Sequence, residues 1–253
     1  MARIVGIHGA FHELWGPHQV ESRWLPALRD GLWHDEVMLD GDDFVVAFYG
    51  DIFRAHPDEG LPGDVELIEI AERSGLIDIA EEEMGAGGLE KLAAEIGVEV
   101  LRSLVHQLAR YFADDEVRAA VQGRLEARID GDSRVIVAHS MGTVVAYEAL
   151  CRHPEWPVTT LVTLGSPLGG PFVQAKVQPG PSPDGVRPWP ATLQRWTNVA
   201  AARDTVAADP RLNPLFMGHI EDVVVDNGNR AHAAEPYLNA AVTGRAVALG
   251  LVT

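Results

Sequence analysis

The sequence predicts an α/β protein with a mostly parallel, doubly wound sheet of about six or seven strands. Six short runs rich in β-branched and aromatic residues have the length of strands. These runs are almost continuously apolar, as expected when helices cover both faces of a parallel sheet. Segments with helical periodicity lie between several of the runs, and this alternation is typical of right-handed parallel crossovers.

The predicted elements follow from hydrophobic periodicity and from the positions of glycine and proline. The predicted strands are Ile4–His8, Phe44–Tyr49, Arg134–Ala138, Thr159–Leu164, Arg195–Ala200 and Glu221–Asp226. The predicted helices outside the central region are Val20–Leu32, Met141–Arg152 and Ala231–Ala248. The proline-rich segment 178–190 is predicted to be a loop, because proline donates no backbone hydrogen bond.

The region 52–131 is too long for a single crossover, and it predicts a helical insertion within one domain that spans residues 1–253. Apolar residues recur at helical spacing between positions 89 and 112, so one face of that segment should pack on the domain. We expect a sheet-covering helix and a cap or lid. The helices predicted in this region are Val65–Glu72, Leu76–Met84, Leu89–Phe112 and Asp115–Ile129.

The chain is acidic, with 37 Asp and Glu residues against 20 Lys and Arg, a formal net charge of −17. This charge repels phosphate backbones and anionic lipid headgroups, so we expect no nucleic-acid partner. No run of about 18 apolar residues occurs, so we expect no stable membrane insertion. The single cysteine, Cys151, has no partner for an internal disulfide. These features favour a cytoplasmic protein and leave its oligomeric state open.

Ser140 stands at the junction of a predicted strand and a predicted helix. The small residues Ala138 and Gly142 lie two positions before and after it. Larger side chains there would collide in a sharp strand-to-helix turn. We expect the turn to present the hydroxyl to solvent, where the helix N-terminus favours negative charge on a nearby oxygen.

The segment Ala138-His139-Ser140-Met141-Gly142 resembles the nucleophile elbow of the α/β-hydrolase-fold serine hydrolases, the lipase and esterase kind. Alanine stands where the family usually has glycine, and because it adds only a methyl group we expect the turn to survive. The resemblance follows the strand order through residues 3–51 and 132–238. It implies an α/β-hydrolase fold with Ser140 as the nucleophile.

In the family the acid and then the histidine follow the serine along the chain, so the resemblance implies an acid after Ser140. Asp204 follows the fifth predicted strand, and its spacing to Val206 resembles the acid loop of the family. Asp209 precedes a proline and is typical of a turn. We expect Asp222 and Asp226 to have structural roles, and the resemblance implies Asp204 as the acid.

His232 follows the last predicted strand, where the fold brings a late histidine over the nucleophile. His219 precedes that strand, at what should be the opposite edge of the sheet. We expect His8 and His12, which come early in the chain, to orient the loop after the first strand. The resemblance thus implies a triad of Ser140, Asp204 and His232.

The end of the first predicted strand is where the family has its oxyanion-hole residue. Gly9 there permits a tight turn. The resemblance implies that the amide of Met141, together with the amide of Ala10 or Phe11, holds the negative oxygen of a tetrahedral intermediate.

These residues imply an esterase-like or lipase-like serine hydrolase that cleaves a carboxylic ester or thioester of a small-molecule acyl substrate. Two alternatives stay open. The same triad could serve an acyltransferase, a cyclase or a C–C-cleaving hydrolase in a biosynthetic pathway, or the scaffold could be a non-catalytic binding protein. The sequence has no HExxH pair, phosphate loop or dinucleotide fingerprint, so we expect no metal and no cofactor.

Overall fold

The computed structural model describes residues 2–54, 98–207 and 209–252, and within the first helix after the gap it describes side chains from residue 106 onward. This part of the chain contains an open sheet of six strands in the order β2-β1-β3-β4-β5-β6, and every neighbouring pair is parallel. The strands are β1 Ile4–Ile7, β2 Phe44–Ala47, β3 Val135–His139, β4 Thr160–Leu164, β5 Arg195–Ala201 and β6 Ile220–Val225. The predicted α/β class is confirmed, and all six predicted strands are present.

Seven α-helices lie in the described residues, and they cover both faces of the sheet. Helix α3 begins where the Asp114 side chain accepts hydrogen bonds from two amides of its first turn, a standard N-cap. The helices are α1 Pro17–Trp33, α2 Val98–Ala113, α3 Asp115–Glu126, α4 Met141–Arg152, α5 Pro171–Lys176, α6 Ala234–Leu238 and α7 Ala241–Leu251.

The C-terminal region differs from its prediction. The expected single helix Ala231–Ala248 is two helices, α6 and α7, separated by Asn239 and Ala240, of which Ala240 is extended. The break changes the direction of the chain. Both helices pack on α1, and Tyr237 near the end of α6 bonds to Asp204.

The two faces of the sheet carry separate hydrophobic clusters, because side chains of a strand alternate between faces. Val5 and Ile136 join α3, α4 and α5 on one face. Ile4 and Val135 join α1, α6 and α7 on the other. This alternation positions each strand between two helical layers.

Helix α3 occupies most of the predicted segment Asp115–Ile129, and it packs with α4 through buried Val121 and Leu125. Helix α2 occupies the end of the predicted Leu89–Phe112 helix. The helices predicted at 65–72 and 76–84 lie outside the described residues, so the cap or lid stays a prediction.

The proline-rich segment is a loop, as predicted, and Arg187 holds it. The buried guanidinium donates hydrogen bonds to the carbonyl oxygens of Val177 at 2.9 Å and Pro179 at 2.7 Å, and to that of Gln174. Carbonyl acceptors thus compensate a cation removed from water. Within the described residues, no helix combines the length and apolar character needed to cross a bilayer.

The strand order reverses at β1. The chain passes from β1 to β2 on one side and then returns to β3 on the other. The helices that follow β1 and β3, α1 and α4, therefore pack on opposite faces of the sheet. In open α/β sheets this switch point is where ligands bind.

Candidate active site

Ser140 forms the turn between β3 and α4 at this switch point. Its backbone has φ 55° and ψ −131°, a conformation that L-residues rarely adopt. Two backbone hydrogen bonds hold the turn: Ser140 N donates to Leu164 O at the end of β4 at 2.9 Å, and Thr143 N donates to Ser140 O at 2.9 Å. The sharp strand–serine–helix turn expected from the sequence is therefore present.

The surroundings of Ser140 are tightly packed. A methyl group built on Gly142 would lie 2.5 Å from the carbonyl oxygen of His8, and one built on Gly9 would lie 2.4 Å from Cβ of Ser140. The loop after β1 therefore lies directly against the serine. Only 1% of the Ser140 surface is exposed, so the expectation of a solvent-presented hydroxyl is wrong for this conformation.

Ser140, His232 and Asp204 form one hydrogen-bonded chain. The distance from His232 Nε2 to Ser140 Oγ is 2.9 Å, and His232 Nδ1 lies 2.9 and 2.8 Å from the two carboxylate oxygens of Asp204. Because a carboxylate accepts only, Nδ1 carries the proton and Nε2 is the acceptor for the serine hydroxyl. The side chain of His232 remains 24% exposed, so the chain of groups reaches the surface there.

The carboxylate of Asp204 is buried and accepts hydrogen bonds from four groups. Besides His232, it accepts hydrogen bonds from Val206 N at 3.0 Å, Ala207 N at 3.4 Å and the Tyr237 hydroxyl at 2.6 Å. A buried charge is tolerated when such donors replace water. The residues just after Asp204 thus form a turn whose backbone amides, including that of Val206, hold the Asp204 carboxylate.

The other late aspartates are engaged elsewhere. Asp226 Oδ1 accepts from Gly228 N at 2.9 Å, and Asp209 Oδ1 accepts from Arg211 N at 3.0 Å, so both stabilise their own turns as expected. Asp222 accepts from the Asn198 side chain and from backbone amides of the loop before β6, a structural role.

The amides of Met141, Ala10 and Phe11 lie in the two segments that flank Ser140. Met141 is the first residue of α4, so its amide has no acceptor within the helix. Phe11 has φ 71°, which turns the chain sharply after β1. Within the described residues no acceptor is assigned to the amides of Ala10 and Phe11.

His8 and His12 hold the loop after β1. His8 Nε2 accepts from Tyr49 N at 3.1 Å, so its Nδ1 carries the proton and donates to Gly9 O at 2.7 Å. His12 Nδ1 lies 2.9 Å from Ala10 O. Complete burial lowers the pKa of His8 to about 3, so its imidazole is neutral. The expected orienting role of both histidines agrees with these contacts.

His139 is a site residue that the sequence reasoning did not single out. Its Nε2 lies 2.8 Å from the backbone oxygen of His232, which identifies Nε2 as the protonated nitrogen. Its buried Nδ1 has no hydrogen-bond partner in the described part of the chain. Burial and, secondarily, the neighbouring His232 hold the pKa of His139 well below its usual value. In the sequence, only its position next to Ser140 indicates that His139 belongs to the site.

Tyr237 and Gly165 were also missed, because no motif marks them. The Tyr237 hydroxyl bonds to Asp204, and a Cβ built on Gly165 would lie 2.8 Å from Asp204 Oδ2 and 3.2 Å from His232 Nδ1. Within the residues that the structure describes, no group of three or more His, Cys, Asp and Glu side chains could hold a metal ion.

The fold and this hydrogen-bonded chain define the class as a parallel-sheet α/β protein with a serine, histidine and aspartate at its switch point. No protein-family model matches the sequence, and no curated protein is similar enough to assign a family.

Proposed function

We propose that this protein is a serine hydrolase that cleaves a carboxylic ester or thioester through an acyl-enzyme on Ser140, on a scaffold of the α/β-hydrolase kind. The observation that carries the proposal is the chain from Ser140 Oγ to His232 Nε2 at 2.9 Å and from His232 Nδ1 to the buried carboxylate of Asp204. This is the arrangement that activates an otherwise weak hydroxyl nucleophile.

The first half-reaction forms the acyl-enzyme. His232 Nε2 takes the hydroxyl proton as Ser140 Oγ attacks the acyl carbon, and the carbonyl oxygen becomes an oxyanion. Asp204, fixed by backbone donors and Tyr237, stabilises the imidazolium that forms. When the tetrahedral intermediate collapses, the bond to the leaving group breaks and His232 returns the proton to the departing alcohol or thiol.

The oxyanion is held by amides that the folded protein has already oriented. Met141 N points out of the first turn of α4, where the helix dipole also favours negative charge. The second donor is the amide of Ala10 or Phe11, in the loop that packs against Ser140. Each such donor typically lowers the barrier by about 3 kcal/mol.

The second half-reaction releases the acyl group. His232 removes a proton from water, the resulting hydroxide attacks the acyl carbon, and the bond to Ser140 Oγ breaks as His232 returns the proton to the serine. Because Ser140 is 1% exposed, both half-reactions require the protein to open locally at the exposed edge of His232.

The proposal is tested with a fluorescent fluorophosphonate, which reacts covalently with activated serines. The native protein should be labelled and Ser140→Ala should not, while circular dichroism shows both to be folded. Ser166→Ala is the matched control, because this serine hydroxyl is also buried but bonds to Thr143 and not to a histidine. It should label like the native protein.

Absence of labelling in folded native protein over a range of temperatures would instead support a non-catalytic binding protein. If labelling succeeds, nitrophenyl esters and acyl thioesters of increasing chain length report the acyl preference. Products formed with added alcohols or amines distinguish hydrolysis from acyl transfer.

A further inference from the structure

Tyr237 contacts the acid of the proposed triad in a way that fixes the direction of its hydroxyl proton. The phenol oxygen accepts a hydrogen bond from Ala201 N at 2.7 Å and lies 2.6 Å from Asp204 Oδ2. A phenol has one proton, and a carboxylate can only accept. The Tyr237 hydroxyl therefore donates to Asp204.

The packing leaves these groups little freedom to reorient. Gly165, at φ +55°, lies beneath them after β4. A methyl group built on it would lie 2.8 Å from Asp204 Oδ2, 3.1 Å from Tyr237 Cε2 and 3.2 Å from His232 Nδ1. A larger residue at position 165 would therefore crowd Asp204, His232 and Tyr237 together.

The phenol remains a donor over the whole working pH range. Burial, and next the negative charge of Asp204, raise the pKa of Tyr237 far above its ordinary value. The contact is therefore a charge-assisted hydrogen bond between a neutral phenol and a carboxylate, which is a strong type.

We propose that Tyr237 is a positioning residue which, by sharing the negative charge of Asp204, sets the pH range in which His232 can act as a base. The proposal rests on the proposed function of the site. A carboxylate that donates part of its charge density to a phenol attracts the imidazolium less. The phenol therefore weakens the attraction between Asp204 and a protonated His232.

Among the described residues the phenol oxygen bonds only to Ala201 N and Asp204, so its removal breaks no contact of the other titratable groups around His232. The ring of His139, at the end of β3, lies 4.8 Å from the His232 ring and 6.1 Å from the Tyr237 ring, and burial keeps it neutral. A positive charge on His8 or His12, in the loop after β1, would lower the pKa of His139 further. On the segment of Tyr237 itself, Glu235 is paired with Arg230 at 2.8 Å and Arg23 at 3.5 Å.

The test is the pH dependence of kcat/KM in native protein and in Tyr237→Phe. Removing the phenol oxygen returns charge density to Asp204 Oδ2 and favours the imidazolium. The acidic limb of the profile should therefore move to higher pH by about 0.5 to 1 unit, a threefold to tenfold loss of rate on that limb. If Tyr237 had only a structural role, Tyr237→Phe would lower the maximum of kcat/KM and leave the acidic limb in place. That result would overturn the proposal.

The matched control is Tyr111→Phe. The Tyr111 hydroxyl is also buried and also donates to a carboxylate, Glu148 Oε2 at 2.6 Å, but this pair lies outside the triad. This variant should lower stability and leave the acidic limb where it is. A shift as large as that of Tyr237→Phe would show that any lost phenol moves the limb, and the proposal would fail.

A second measurement keeps the fold intact. Replacing the protein's four tyrosines with 3-fluorotyrosine leaves every hydroxyl in place and makes each phenol a stronger donor. The acidic limb should then move to lower pH, and this movement should vanish in the Tyr237→Phe background. No movement in the fluorinated native background would overturn the proposal.

Proton NMR separates failure of this inference from failure of the proposed function. The downfield Nδ1 proton of His232, assigned by its loss in His232→Gln, can be titrated in protein that shows no activity. Its midpoint should move to higher pH in Tyr237→Phe. An inactive protein with this shift contradicts the proposed function alone, whereas an active protein without it contradicts the role of Tyr237.

Discussion

Asp204 determines which nitrogen of His232 carries the proton. Its carboxylate is buried and lies within 2.9 Å of His232 Nδ1 through both oxygens. An acceptor at this position leaves Nε2 free to receive the hydroxyl proton of Ser140. At the residue scale, the proposed chemistry therefore depends on an acid that never reaches the substrate.

Replacing Asp204 with asparagine should reduce kcat by about 10⁴-fold with the fold retained, because an amide can donate to Nδ1 and so favour the wrong tautomer. Hydrolysis of a nitrophenyl ester above neutral pH measures the loss. Asp226→Asn and Asp209→Asn are the controls, since these carboxylates bond to their own turns and to exposed arginines and not to His232. Retention of full activity in Asp204→Asn would transfer the acid role to another carboxylate.

His139 supports the backbone of the base. Its Nε2 proton bonds to the carbonyl oxygen of His232 at 2.8 Å, and the two rings lie 4.8 Å apart. This contact joins the end of β3 to the loop that carries His232. The position of the His232 imidazole thus depends on a neutral, buried histidine next to Ser140.

His139→Leu should lower kcat/KM by about tenfold, because one hydrogen bond that holds the base is lost. His139→Gln can keep a side-chain N–H directed at the same carbonyl, so it should remain within about threefold of native activity. Ester hydrolysis of the two variants, compared at equal fluorophosphonate-titrated concentration, measures the difference. Equal losses in both variants would assign His139 to packing alone.

At the scale of the elements, α4 is anchored by a buried charge. The Glu148 side chain is 1% exposed, and it accepts from Arg118 Nε at 3.0 Å, from a second Arg118 nitrogen, and from the Tyr111 hydroxyl. It also accepts from Gln178 N at 2.7 Å. One carboxylate therefore fastens α2, α3 and the start of the proline-rich loop to the helix that begins next to Ser140.

Glu148→Gln should destabilise the protein by about 3 kcal/mol, because it leaves the partly buried guanidinium of Arg118 without its counterion. Arg124→Gln is the control: it removes an ion pair with Asp51 in which both side chains are about half exposed. That variant should change stability by less than about 1 kcal/mol. Urea unfolding measures both, and equal effects would contradict the assigned anchor.

At the scale of the whole molecule, the candidate site is built from the carboxyl ends of neighbouring strands. Ser140 follows β3, Gly165 follows β4, Asp204 follows β5 and His232 follows β6, while Gly9 follows β1. Parallel strands place all these ends on one edge of the sheet. Residues more than 90 positions apart, such as Ser140 and His232, can meet there.

Buried neutral histidines make the stability of the whole fold depend on pH. The folded pKa of His8 is about 3, below its ordinary value of 6.5, so the unfolded chain binds a proton that the folded protein excludes. This contribution is complete above pH ~6.5 and is lost as the pH falls toward ~3. The lowered pKa values of His12 and His139 act in the same direction.

The free energy of unfolding should therefore contain a His8 contribution that decreases by about 2 kcal/mol between pH 7 and pH 5. His8→Gln should be less stable than native protein at pH 7 but should show a flatter pH dependence. His18→Gln, which alters an exposed imidazole on α1, serves as the control. Urea unfolding at a series of pH values measures the slopes, and parallel slopes for native protein and His8→Gln would contradict this contribution.

Local sequence was sufficient for the six strands and for the turn at Ser140. Continuous apolar runs predicted all six strands, because a strand buried on both faces has no polar side to present. Small residues around Ser140 predicted the sharp turn, because steric crowding acts over neighbouring positions. The family's order of serine, acid and histidine, together with positions after the fifth and sixth strands, implied Asp204 and His232, which the structure brings within hydrogen-bond distance.

Only the tertiary structure decided how those segments meet. The break between α6 and α7, the burial of Ser140, and the contacts of His139 and Tyr237 depend on residues from different strands and helices. No local pattern encodes them, since a hydrogen bond between Tyr237 and Asp204 joins positions 33 residues apart. Such contacts arise from packing two helical layers on one sheet, and packing is a property of the whole chain.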